Sequence, residues 1–297
     1  PELGTGVFNI DLDGTNSGDP SWVSGFPVDM QFIKDRAGTT FNWFLSTRLT
    51  QGKYLSTASS AAEVANSVYS HDYNNGWGNY SSANGITSWM WKRHAGFDVV
   101  AYEGDGVAGH QIPHSLNKTI EMIWVKRRDS SANWRVYHIG LNGGTNPIEY
   151  AIVLNAEALA FDGSSSWNDT SPTSTHFTVG TSSSVNGNGN DYIAMLFSTT
   201  DVSKVGYYTG NGTSGHAITL GFQPRFVLIR ASGLMTPWIV LDTTRGWGSG
   251  NDQVLKINSN DAQSSLDYGA PTSTGFTLGT ANEINANNYS YMYYAHA

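Results

Sequence analysis

Four groups of residues have types and spacings that could do chemistry. Asp11 and Asp13 stand in DLDGTNSGD (11–19), which begins like a calcium loop. Glu103 and Asp105 stand two apart in YEGDGVAGH (102–110), a carboxylate pair such as a polysaccharide-degrading enzyme would use. His110 and His114 are four apart in HQIPH, the spacing of two metal ligands on a helix. Trp77, Trp167 and Trp247 lie in NNGWGN, SSSWND and RGWGSG, where an indole among small polar residues could stack on a sugar ring.

Each group has a structural counter-reading. A calcium loop starting at Asp11 needs Asp or Asn at its fifth position, Gly at its sixth and Glu at its twelfth. The chain gives Thr15, Asn16 and Trp22. Two further segments, YEGDGVAGH and YTGNGTSGH (208–216), keep the glycines, and the second of them has no carboxylate. The shared need is therefore a tight turn, and Asp11 and Asp13 stay weak metal candidates. Glu103 and Asp105 correspond to Asp11 and Asp13 in the first segment and to Thr209 and Asn211 in the third, so the acid pair is not kept in every copy. Pro113 argues against a helix through HQIPH, and His110 aligns with His216, which points to a turn hydrogen bond. The three loop tryptophans could equally pin loops over their own sandwich edges.

The remaining chemistry is narrow. No nucleophile elbow, phosphate loop or dinucleotide fingerprint occurs. The absence of cysteine excludes disulfides, thiolate zinc sites and thiol catalysis. Nothing calls for a cofactor. Net charge is -8, and no basic run exceeds Lys126-Arg127-Arg128, so nucleic acid is not an expected partner. No apolar stretch is long enough for a membrane-spanning helix. Sequons stand at Asn79, Asn117, Asn168, Asn211 and Asn288, acceptors only if the chain passes a glycosylating secretory route.

The elements that must position these residues come in three copies. After each turn segment follow MQFIK (30–34), MIWVK (122–126) and FVLIR (226–230), all ending in a base. Next come Asn42-Trp43, Asn133-Trp134 and Pro237-Trp238. Copies two and three share PTSTHFTVGT (172–181) and PTSTGFTLGT (271–280), which copy one lacks. Each copy closes on an aromatic run: WMWKRHA (89–95), YIAMLFS (192–198) and YMYYAHA (291–297). The units are 1–97, 98–202 and 203–297, roughly 95–105 residues each, long enough to be domains.

Only 13% of residues are charged, and solubility rests on Asn, Ser, Thr and Gly, a composition that favours strands and turns. Short runs between Gly/Asn turns predict an all-β protein of three tandem β-sandwich-like repeats. In MIWVK both faces are apolar, as in a central strand covered on both sides. The recurring Trp43, Trp134 and Trp238 read as core anchors. The helical candidates are 59–68 (SSAAEVANSV) and, more weakly, 155–160 (NAEALA).

Taken together, the motifs at 102–109, 123–128, 133–137, 172–181, 207–216, 238–245 and 271–280 resemble a repeat of tail-fibre-like, virion-associated structural proteins of marine and cyanobacterial bacteriophages. The resemblance covers copies two and three. It implies a non-enzymatic, extracellular or virion-associated component with no catalytic residues to carry over. The expected function is a structural subunit of an appendage, acting by self-assembly and surface attachment as a homo-oligomer, either a trimeric fibre or a helical filament. Strand donation by PELGTGVFNID or YMYYAHA is one route to such a filament. The rival is a carbohydrate-binding module or adhesin that takes cell-surface glycans on Trp77, Trp167 and Trp247. A third reading is a hydrolase using Glu103 or Asp105.

Overall fold

Alternating apolar side chains on strands buried on both faces dictate a layered β structure. The computed structural model describes residues 3–14, 18–38, 42–78 and 85–297. The first unit contains β1 (Phe8–Leu12), β2 (Trp22–Val23), β3 (Met30–Asp35), β4 (Phe44–Thr47), β5 (Lys53–Ser56), β6 (Val64–Ala65), β7 (Gly76–Trp77) and β8 (Ile86–Trp91). The second contains β9 (Phe97–Glu103), β10 (His110–Pro113), β11 (Met122–Arg127), β12 (Arg135–His138), β13 (Tyr150–Val153), β14 (Phe161–Asp162), β15 (His176–Val179) and β16 (Asp191–Phe197). The third contains β17 (Ser203–Thr209), β18 (His216–Thr219), β19 (Phe226–Ala231), β20 (Ile239–Asp242), β21 (Asp252–Lys256), β22 (Ser264–Leu266), β23 (Pro271–Thr272), β24 (Gly275–Leu278) and β25 (Ser290–His296).

The same topology appears three times. The large six-stranded sheets run β1-β8-β3-β4-β5-β6, β9-β16-β11-β12-β13-β14 and β17-β25-β19-β20-β21-β22. A small sheet accompanies each: β2-β7, β10-β15 and β18-β24-β23. Phe97 opens the second large sheet, although the sequence places it in the first unit. In every unit the first strand pairs antiparallel with the last, as in Phe8↔Trp91, Phe97↔Phe197 and Ser203↔His296. This pairing corrects the strand-donation expectation. β25 is flanked by β17 and β19, and β1 is held by β8, so both terminal strands are used within their own sheets.

Alternation along the strands sends side chains to two different cores. On β19, Phe226 and Leu228 join a large cluster drawn from all three units, whereas Val227 and Ile229 join a cluster confined to the third unit. On β3, Met30 and Phe32 face the shared cluster while Ile33 packs with Trp22, Tyr69 and Trp77. The first and third units thus each keep a local cluster on one face of the large sheet, whereas in the second unit Met122, Ile123, Trp124 and Val125, from both faces of β11, all belong to the large cluster.

Two rings of hydrogen bonds close the three units on one another. Trp134 Nε1 donates to the Ser56 carbonyl (2.9 Å), Trp238 Nε1 to the Val153 carbonyl (3.0 Å) and Trp43 Nε1 to the Lys256 carbonyl (2.7 Å). The acceptors are the last residues of β5, β13 and β21, so second unit meets first, third meets second and first meets third. In the main-chain ring, Glu63 N donates to Arg128 O (2.8 Å), Ala160 N to Ser232 O (3.3 Å) and Gln263 N to Arg36 O (2.9 Å). The arrangement is a pseudo-threefold closed within one chain.

The bases that end the equivalent strands are buried at these junctions. Lys34 Nζ donates to Asn260 O (2.9 Å) and Arg230 donates to Ala158 O (2.6 Å), each in the neighbouring unit. Lys126 keeps to its own unit, on Arg127 O and Ser130 O. Burial pulls Lys126 down to about 8 and Arg230 to about 10. The Ala-rich segment 59–68 is not helical. Ser60 O accepts from Ala132 N and Glu63 N donates across the junction, so its main chain is committed to the second unit. Segment 155–160 is likewise non-helical, and the α-helices are single turns, α1 (Ser164–Trp167) and α2 (Asn282–Asn285).

Candidate functional site

The loop tryptophans are not a stacking platform. Trp77 is fully buried on β7, sandwiched between Trp22 (6.0 Å, 8° between planes) and Tyr69 (5.8 Å, 10°), and its Nε1 donates to Ser88 Oγ. Trp167 is fully buried at the end of α1, with Tyr137 edge-on. Trp247 is 3% exposed and donates to the Gly269 carbonyl (3.0 Å). Trp77 and Trp247 pack into the local clusters and Trp167 into the large one, and the expectation that they are exposed for ligand is corrected. Burying an indole outweighs the polar character of its sequence neighbours, because those neighbours need contribute only backbone.

The acidic candidates are taken up by turns. Asp11 accepts from Val23 N (2.9 Å). Asp13 adopts positive φ and accepts from Arg36 (2.7 Å) and Gly85 N (2.6 Å). Asp105 accepts from Val107 N (2.8 Å) and from Asn186 Nδ2 (3.0 Å), hydrogen bonds that hold its carboxyl below the usual range. Glu103 is exposed at the end of β9, opposite Asp191. His110 Nδ1 donates to Asn186 Oδ1 (3.1 Å), whereas His114 Nε2 donates to Thr173 O and its Nδ1 accepts from Leu116 N. The two rings serve different turns. Among the described residues, no group of three or more His, Asp or Glu is placed to hold a metal ion.

Two residues missed in the sequence organise these turns. Asn186 is fully buried, and its amide reaches Val107 O, Gly180 O and Asp105 Oδ1 while its carbonyl oxygen receives Asp105 N and His110. Asn285 repeats this with Thr213 O, Gly279 O, Asn211 N and His216. The signal was available: both stand six residues before the tyrosines Tyr192 and Tyr291 of the closing strands. Of the sequons, Asn79 lies outside the described residues. Asn117 and Asn288 are exposed in left-handed conformation, Asn168 is half-buried with its amide on Thr170, and Asn211 receives Thr213 N in a turn.

A concave feature with the form of a binding site lies where the second and third units meet. A groove of about 420 Å³ is lined by Asn142, Tyr150, Leu159, Ser232, Asn288 and Tyr289, with Gly143, Ala160, Gly233 and Ser290 between them. Its floor is fixed by the Ala160 N to Ser232 O bond and by Ser232 N to Ser290 O (3.0 Å). Leu159 (49%) and Tyr289 (42%) stand exposed at its walls. None of the lining side chains is charged.

The pseudo-symmetry explains why space remains there. Ser232 and Ala160 occupy the positions that Arg128 and Glu63 hold at the junction of first and second units. There Arg128 grips Glu63 through two contacts (2.9 and 3.3 Å) and Lys53 adds a third (2.6 Å), sealing the junction with charge. At the junction of third and first units, Gly38 packs so closely on Ala262 that an added Cβ would lie 2.1 Å from its amide nitrogen. Small side chains at Ser232 and Ala160 leave the third junction open.

Fold and site together define an all-β protein of three fused sandwich repeats around one shared core. A family model described as a domain of unknown function, DUF7483, matches residues 8–297, from the start of β1 through all three units, and the chain belongs to that family. No curated protein shows significant similarity to it.

Proposed function

We propose that the chain is a non-enzymatic structural subunit of an extracellular appendage or virion, working by self-assembly and surface attachment. The observation that carries this reading is the free edge of the second sheet. β9 is seven residues long, pairs only with β16, and borders a groove of about 350 Å³ lined by Leu49, Val99, Val100 and Ala101. Asp98 is buried against Arg93 and Ser115 and Glu103 ends the strand, so the stretch 99–102 between them is an uncharged edge of the kind that pairs between molecules. At the opposite edge of the third sheet, all three residues of β22 are exposed. A β22 edge from one copy meeting β9 of the next is a head-to-tail contact, which builds open filaments. The carboxylates Glu103 and Asp105 offer little to a hydrolase, since the Asp105 carboxylate is taken up by Val107 N and Asn186 Nδ2 within its turn.

Electron microscopy with mass determination over a concentration series tests this. The expected result is concentration-dependent oligomers or filaments that disappear in Ala101→Lys, whose charge blocks the edge without touching the shared core. A monomer at every concentration would overturn the assembly reading.

A further inference from the structure

We infer that the groove between the second and third units is a binding site for a neutral saccharide. The inference concerns attachment and is independent of assembly through β9.

Three observations point to this ligand class. The lining has no charge in a chain of net charge -8, so the groove neither attracts a cation by an acidic wall nor recognises an anion by a basic one. Its polar groups are amides and hydroxyls, from Asn142, Asn288, Ser232, Ser290 and Tyr150, which suit the donor–acceptor character of sugar hydroxyls. Its exposed apolar surface comes from Tyr289 and Leu159, and a phenol ring can pack on the C–H face of a pyranose. The ring geometry adds a fourth point. At the level of the main-chain ring, the Arg128–Glu63 pair fills one junction and the close backbone contact at Gly38 another, while this one is open over a fixed floor. A pre-formed concave surface with few converging polar groups is what a small ligand needs.

Saturation-transfer NMR and calorimetry on the full chain, repeated on the Ala101→Lys variant, separate this site from assembly. The probes are maltotriose, N-acetylchitotriose and galactobiose, with sialylated and sulfated trisaccharides as charged controls. Binding of at least one neutral probe is expected. It should weaken roughly tenfold in Tyr289→Ala and be lost in Leu159→Glu, which puts a carboxylate on the wall. Both residues are exposed and lie outside the shared core, so unchanged melting curves will show that the fold is intact. The inference is overturned if no neutral probe binds, if neither variant changes binding, or if the charged glycans bind better.

Discussion

Excision of the third unit is the sharpest test of the shared core. In residues 203–297, nine side chains face the common cluster: Val205, Phe226, Leu228, Trp238, Val240, Leu255, Ile257, Met292 and Tyr294. Fully exposing a large apolar side chain costs about 1.5–3 kcal/mol, so nine amount to roughly 13–27 kcal/mol. Even half of that, allowing for partial burial in the isolated unit, rivals the whole net stability of a domain, about 5–15 kcal/mol. The unit also loses the Trp238 bond to Val153 and the Arg230 bond to Ala158. We expect the isolated fragment to show no cooperative melt as a monomer by circular dichroism and calorimetry. Self-association that restores a melt agrees with the shared core, because the three junctions are quasi-equivalent. A monomeric fragment with a sharp two-state transition would refute the reasoning.

Two further predictions follow from individual groups. Trp134→Phe removes a buried donor and leaves the Ser56 carbonyl the longer bond from Ser59 N (3.4 Å), whereas Trp124 Nε1 is buried without a partner, so Trp124→Phe loses ring volume alone. Urea unfolding should find the first variant less stable than the second by about 1–2 kcal/mol, and equal losses would contradict the ring of indole bonds. His71, His138 and His296 are buried and held neutral, with burial lowering them to about 4, about 4 and about 3. Their folded values lie below the unfolded 6.5, so this stability is complete above pH 6.5 and drains away as pH falls toward 4. Three such groups give a slope of about 4 kcal/mol per pH unit at the steepest. A urea midpoint that stays level between pH 7 and pH 4.5 would rule this out.

Local pattern made much of the fold legible. The alternation in MIWVK and FVLIR announced strands covered on both faces, and the repeated bases marked strand ends. What lay beyond sequence reasoning was which partner each face would meet. Trp43, Trp134 and Trp238 read as core anchors, yet their N–H groups bind carbonyls about 80 to more than 200 residues away, contacts set by tertiary closure. NNGWGN looked like an exposed loop because glycine and asparagine are turn residues. Gly76 instead allows close strand pairing, since a Cβ there would lie 2.0 Å from the Trp22 carbonyl oxygen. The groove was invisible for a related reason: its walls come from Asn142–Ala160 and Ser232–Ser290, and it exists only where two repeats face each other.

Covalent fusion of the three sandwiches has a consequence for valency. A homotrimer of one repeat would display every junction in triplicate, and any change made for a ligand would be imposed on all three seams. Here each seam has its own residues: an Arg128–Glu63 clamp, a Gly38–Ala262 backbone seal and an open cleft beside Ser232. The chain can therefore change the residues of one seam without imposing the change on the other two. The groove beside Ser232 occurs once per molecule, so multivalent attachment through it would arise only by arraying whole chains.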